Sequence, residues 1–150
     1  MASTELRIRG VVVRGYGVAS GIGDDGPAGG TIRLQLPHFR RMGLDLSACH
    51  PATINVSIAP RRLVMHRPRH TFPAIRWLAS GPIETFSFSP CRVVFSGATT
   101  GGFVYYPHPE TKPGHFHPPT TVEIVAPYVE GLRYGSTVEL ILDGSEVAIA

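Results

Sequence analysis

The sequence predicts a mostly β chain, a small barrel or sandwich of seven or eight strands with very little helix, and three observations carry that expectation. Seventeen glycines and fourteen prolines punctuate short apolar runs along 150 residues, a density of breakers that suits short strands better than long helices. No window of a dozen residues holds a clean i, i+3, i+4, i+7 apolar stripe. Several short segments instead alternate apolar with polar residues, the period of a strand with one buried face. The length suits one domain, residues 1–150, large enough to bury a core.

Taken in order, Leu6 to Val13 begins with strict alternation and becomes a β-branched run, the expected first strand. It runs into Arg14-Gly15-Tyr16-Gly17-Val18-Ala19-Ser20-Gly21, and a Gly/Asp-rich stretch extends this loop to Gly30. Thr31 to Leu36 alternates again and predicts the second strand, with Arg33 on a solvent or ligand face. Pro37 to Gly43 predicts a turn or two of helix, with Pro37 at its start and Gly43 as its stop. Thr53 to Ile58 is the central strand, ended by Ala59-Pro60. Arg61 to His70, with four Arg and two His, reads as a solvated basic loop.

Trp77, with Phe72 and Ile75, is expected to cap the core. Pro82 to Phe88 and Cys91 to Phe95 predict two further strands. Ser96 to Gly102 predicts a turn and Phe103 to Tyr106 a returning strand, together a hairpin. Pro107 to Pro119 holds five prolines and three histidines and predicts a loop. Thr121 to Val125 is a strand with Glu123 on the face opposite Val122 and Ile124. Tyr128 to Tyr134 predicts a short helical turn. Val138 to Leu142, Asp143-Gly144 and Val147 to Ile149 close the chain as strand, turn and strand.

Composition bounds the function. Net charge is +3, and 13 of the 14 basic residues are Arg, the side chain suited to bidentate contact with phosphate or carboxylate. That excess fits an anionic ligand and is too small to argue for nucleic acid as a partner. No apolar run is long enough for a membrane helix and no secretory leader is visible, so the expectation is a cytoplasmic protein without a membrane partner. Cys49 and Cys91 lack CxxC spacing and read as reduced core residues.

Three motifs bear on chemistry. Thr53 and Asn55 share a strand face and offer neutral oxygens about 6 to 7 Å apart. That suits a hard cation which keeps most of its waters and touches substrate phosphates, and equally a strand with one wet face. The Gly15-Tyr16-Gly17 loop after a strand lets backbone N–H groups approach a phosphate, though Gly-Lys-Ser/Thr is absent. Gly114-His115-Phe116-His117 followed by Glu123 resembles half of a cupin metal motif.

With these pieces in order, the chain resembles the CTP-dependent riboflavin kinases of archaeal type, small cradle-loop β-barrels. Gly10-Val11-Val12-Val13-Arg14-Gly15-Tyr16-Gly17 resembles that family's opening strand and glycine loop. Pro51-Ala52-Thr53-Ile54-Asn55-Val56 is similar to its Pro-Gly-Thr-Leu-Asn-Val signature, with Ala52 in place of glycine. Thr121-Val122-Glu123-Ile124-Val125-Ala126-Pro127 resembles its Leu-Glu-Ile-Ile-Ala-Pro segment. The resemblance implies a six- to eight-stranded cradle-loop barrel with one or two short helices, and Mg²⁺-dependent phosphoryl transfer from CTP to the ribityl 5′-hydroxyl of riboflavin or a related alcohol. It implies that Thr53 and Asn55 hold Mg²⁺, that Gly15, Tyr16 and Gly17 lie along the nucleotide, and that Glu123 orients the acceptor. His115 stands where the family has a threonine, so His115 and His117 fall at the acceptor side. The segment after Pro127 is about four residues shorter than in the family, and Arg133 is the residue available to replace a nucleotide-binding arginine there.

Two other readings stay open. One is a barrel that binds a nucleotide or flavin without turnover. The other is a cupin-like metal protein using His115 and His117, for which no later histidine supplies the usual further ligand.

Overall fold

Most of the alternating segments form strands. The computed structural model describes residues 4–14, 30–79, 81, 83–111 and 118–150. Among these are nine strands: β1 (Glu5–Val12), β2 (Ile54–Ser57), β3 (Leu63–Met65), β4 (His70–Ile75), β5 (Glu84–Phe95), β6 (Ala98–Pro107), β7 (Thr121–Val125), β8 (Thr137–Asp143) and β9 (Val147–Ile149). One α-helix, α1 (Gly30–Arg41), and a 3₁₀ turn at Pro109–Thr111 accompany them. No helix among the described residues is long and apolar enough to cross a membrane.

Six antiparallel strands close into a ring in the order β5, β6, β7, β2, β1, β8 and back to β5. Closure is possible because β5 is twelve residues long and uses one edge twice. Its first half pairs with β4 through Phe88, and its second half, from Cys91 to Val94, pairs with β8. Pro90 stands between those two ladders, where that edge has no pairing for a missing N–H to break. The short β3–β9 pair packs Leu63, Met65 and Ile149 against the ring's interior.

The ring's interior is aliphatic. Val56, Val93, Val104, Val122, Ile124, Leu140 and Leu142 are buried there, and each contributes about 1.5–3 kcal/mol of transfer free energy. Gly10 lets β1 and β2 approach closely: a Cβ there would lie 2.5 Å from Val56 Cγ1 and 2.7 Å from the Ser57 carbonyl oxygen. A second core lies elsewhere, where α1 sets Ile32 and Phe39 against Phe72, Phe86, Phe88, Tyr105 and Val125.

Five sequence expectations are corrected. The strands expected up to Phe88 and from Cys91 are one strand, β5, and the basic loop expected over Arg61 to His70 carries β3. Thr31 to Leu36 is helix, not strand, and is continuous with the segment through Pro37. The buried positions Ile32, Gln35 and Phe39, with half-buried Leu36, form a helical stripe that outweighs the local alternation. The hairpin turn is only Ser96-Gly97, with φ of 52° and 79°, and Thr99 to Gly102 already belong to β6. Both φ values are positive, as a two-residue hairpin that follows the strands' twist requires. Tyr128 to Tyr134 makes two successive turns, closed by Leu132 N–H to Val129 O and Ser136 N–H to Arg133 O, rather than a helical turn.

Candidate functional site

The ends of β1 and β7 and the start of β2 meet at one place, and the backbone there is pinned from both sides. Val13 N–H donates to the Asn55 carbonyl at 2.8 Å, and Gly135 N–H donates to the Val12 carbonyl at 2.8 Å. His50 N–H donates to the Ala126 carbonyl at 2.8 Å, tying the segment before Thr53 to the end of β7. These bonds fix a cleft of about 360 Å³ lined by Val12, Val13, Thr53, Asn55, Pro127, Tyr128 and Arg133 among others.

Thr53 and Asn55 lie deep in it, 8% and 3% exposed. The Thr53 hydroxyl donates to Asn55 Oδ1, which brings the two oxygens to 3.2 Å. This is closer than the 6 to 7 Å expected from strand rise, because Thr53 precedes β2 and its side chain converges on that of Asn55. Two cis ligands of an octahedral Mg²⁺ at about 2.1 Å stand about 3.0 Å apart. The pair therefore has the right elements at the right separation for two sites on such an ion.

The rim is cationic and aromatic. Arg14 sets its guanidinium 5.0 Å from the centre of the Tyr134 ring, a cation–π distance. Tyr128 is 67% exposed and meets the His50 ring edge-on, with centroids 5.5 Å apart. Arg133 is exposed, and its backbone N–H is held by Ser136 Oγ at 3.1 Å.

Glu123 sits directly opposite Asn55 in the β2–β7 ladder, so the two side chains leave the same face of the sheet, with Cβ atoms about 5 Å apart. It is 7% exposed. It opens, however, into a neighbouring cleft of about 240 Å³ walled by Val104, Tyr105, Tyr106, Pro107 and Pro119. Thr53 and Asn55 line one cleft and Glu123 the next.

Behind Glu123 lies a network that the sequence did not disclose. The Tyr105 hydroxyl donates to Gln35 Oε1 at 2.6 Å, joining β6 to α1. Burial pushes the Tyr105 phenol well above its ordinary value, and the charges of Glu123 and Glu84 reinforce the shift. Tyr105 is therefore a neutral donor at neutral pH. The available sequence signal was Gln35, a polar residue on what proves to be the buried stripe of a helix.

Gly15, Tyr16, Gly17, His115 and His117 lie outside the described residues. Among the described residues no group of three His, Cys, Asp or Glu is arranged to hold a metal. A serine–histidine–glutamate chain does occur: Ser87 Oγ is 2.7 Å from His108 Nε2, and His108 Nδ1 is 3.1 Å from Glu110 Oε2. Ser87 is fully buried within β5 and also bonds Thr71 Oγ1 at 2.9 Å. It anchors the 3₁₀ turn instead of presenting a nucleophile.

No protein-family model matches the chain, and no curated protein is significantly similar to it.

Proposed function

We propose that this chain is a Mg²⁺- and nucleotide-dependent phosphotransferase, resembling the CTP-dependent riboflavin kinases, that phosphorylates the ribityl hydroxyl of riboflavin or a related alcohol. The observation that carries this reading is the pair of buried neutral oxygens, Thr53 Oγ1 and Asn55 Oδ1, 3.2 Å apart in a cleft rimmed by Arg133, Tyr128 and Tyr134. A divalent cation held there would neutralise charge on the transferring phosphoryl group. Neutral ligands bind such an ion weakly, so affinity depends on nucleotide phosphates completing the coordination sphere. In this reading Arg133, on the cleft lining, meets those phosphates as a charge-assisted donor, with Arg14 beside Tyr134 as a second cation nearby. Glu123, across the ladder from Asn55 but open to the neighbouring cleft, in this reading accepts a hydrogen bond from the acceptor hydroxyl. Little covalent help is required of the protein, since placement and charge neutralisation supply most of the acceleration.

A second reading, two ligands bound without transfer, draws on Glu123 opening into a separate cleft. Titration calorimetry with CTP, ATP and riboflavin, each with and without Mg²⁺, followed by a product assay, separates the two. The kinase reading expects Mg²⁺-dependent CTP binding and formation of FMN. Binding of both ligands without product would favour the second reading, and failure of both to bind would overturn the two together.

A further inference from the structure

Helix α1 presents two unlike faces. Ile32, Gln35 and Phe39 are buried, while Arg33, Pro37, Arg40 and Arg41 are exposed. Arg33 and Arg40 are two turns apart on the same side, about 10.5 Å along the axis. With Leu36, Pro37, Arg41 and the Asp45–Ser47 segment they enclose a surface hollow of about 590 Å³. Its far wall is held in shape by Ser47 N–H donating to Asp45 Oδ1 at 2.9 Å.

Helix stability accounts for only part of the charge in this hollow. Arg40 and Arg41 are in the last turn of α1, where cations complement the helix dipole. Arg33 is the fourth residue of the helix, at the end where a cation is unfavourable, and no acidic residue in the first turn offsets it. None of the three arginines forms an ion pair among the described residues. Arg41 instead donates to His38 Nδ1 at 2.8 Å, which fixes its guanidinium at the edge of the hollow. Asp45 is the single carboxylate in the lining, held anionic by Ser47 and by the charge of Arg40, so the hollow sets three guanidinium groups against one carboxylate. No aromatic ring lines the hollow, so it lacks the stacking platform that single-stranded nucleic acid uses.

We infer that the Arg33/Arg40/Arg41 hollow is a second anion site that takes a short polyphosphate, either free or as the tail of a phosphorylated small molecule. It shares no residue with the Thr53/Asn55 cleft, and it needs no divalent cation, because guanidinium groups bind phosphate oxygens directly.

The test uses the full chain with pyrophosphate and tripolyphosphate as probes, titrated in EDTA at low salt. Binding is expected in the unmodified protein and in Arg133→Ala, with affinity lowered at least tenfold in Arg33→Ala/Arg40→Ala, whose melting temperature shows that it is folded. An arm with CTP in EDTA distinguishes free polyphosphate from a nucleotide tail. Equal affinity in the double variant, loss of affinity in Arg133→Ala alone, or no binding of any probe would overturn the assignment. So would binding of an RNA duplex with a steep salt dependence while both short probes fail.

Discussion

The two faces of the β2–β7 ladder use the same backbone for different ends. Facing inward, Val56, Val122 and Ile124 are buried with no polar atom in their side chains, and half-buried Ile54 packs against them. Facing outward, Asn55 and Glu123 are nearly as buried, with Thr53 just before the strand beside them, and all three are polar. Burying apolar surface stabilises the ring, whereas burying polar groups costs free energy unless they are partnered. The difference teaches where to look for chemistry: on the face where polar groups are buried.

That contrast is broken most forcefully from the inside. Ile124→Ala should lower stability by about 3 kcal/mol, read from denaturant unfolding, because the interior leaves little room to collapse around the missing carbons. On the outer face, Asn55→Ala should lower Mg²⁺-dependent turnover on the order of 100-fold, about 2.7 kcal/mol of barrier. Its unfolding free energy should shift by only about 1 kcal/mol, the worth of the bond to Thr53. Equal effects of the two substitutions on stability would erase the distinction between the faces.

Tyr105→Phe sharpens the comparison, since it leaves Gln35 buried without its 2.6 Å donor. A loss of about 2 kcal/mol is expected. The last test is the pH dependence. Burial pushes the Cys91 thiol up to about 12 and the Tyr105 phenol well above its ordinary value. The unfolded chain releases these protons at lower pH than the folded one, so it binds fewer protons and stability falls as pH rises through about 9 to 12. Each group contributes up to about 1.4 kcal/mol per pH unit within its window. Chemical denaturation across that range should show the decline, and Tyr105→Phe should flatten its upper part. A stability independent of pH there would contradict the burial of both groups.

Much of this was legible in the sequence. β1, β2, β7 and the closing strands announce themselves by period-two alternation, and the same alternation places Thr53 and Asn55 on one face and Glu123 opposite Val122 and Ile124. α1 was misread because Ile32, Leu34 and Leu36 also alternate, while the helical stripe runs through a polar residue, Gln35. Pro37 suggested a helix start and is interior instead. The sequence divides Pro82 to Phe88 from Cys91 to Phe95, but β5 runs through Pro90, where its edge passes from β4 to β8. The opposition of Asn55 and Glu123 depends on a pairing between distant segments that no local pattern encodes. The Tyr105–Gln35 contact was hidden for the same reason.

The claim at the centre is that Thr53 and Asn55 hold a divalent cation together with a nucleotide. Mn²⁺ in place of Mg²⁺, followed by electron paramagnetic resonance during titration with CTP, reads that directly. Nucleotide-dependent Mn²⁺ binding is expected in the unmodified protein, weakened at least tenfold in folded Thr53→Ala and Asn55→Ala. Unchanged binding in both variants would contradict the account.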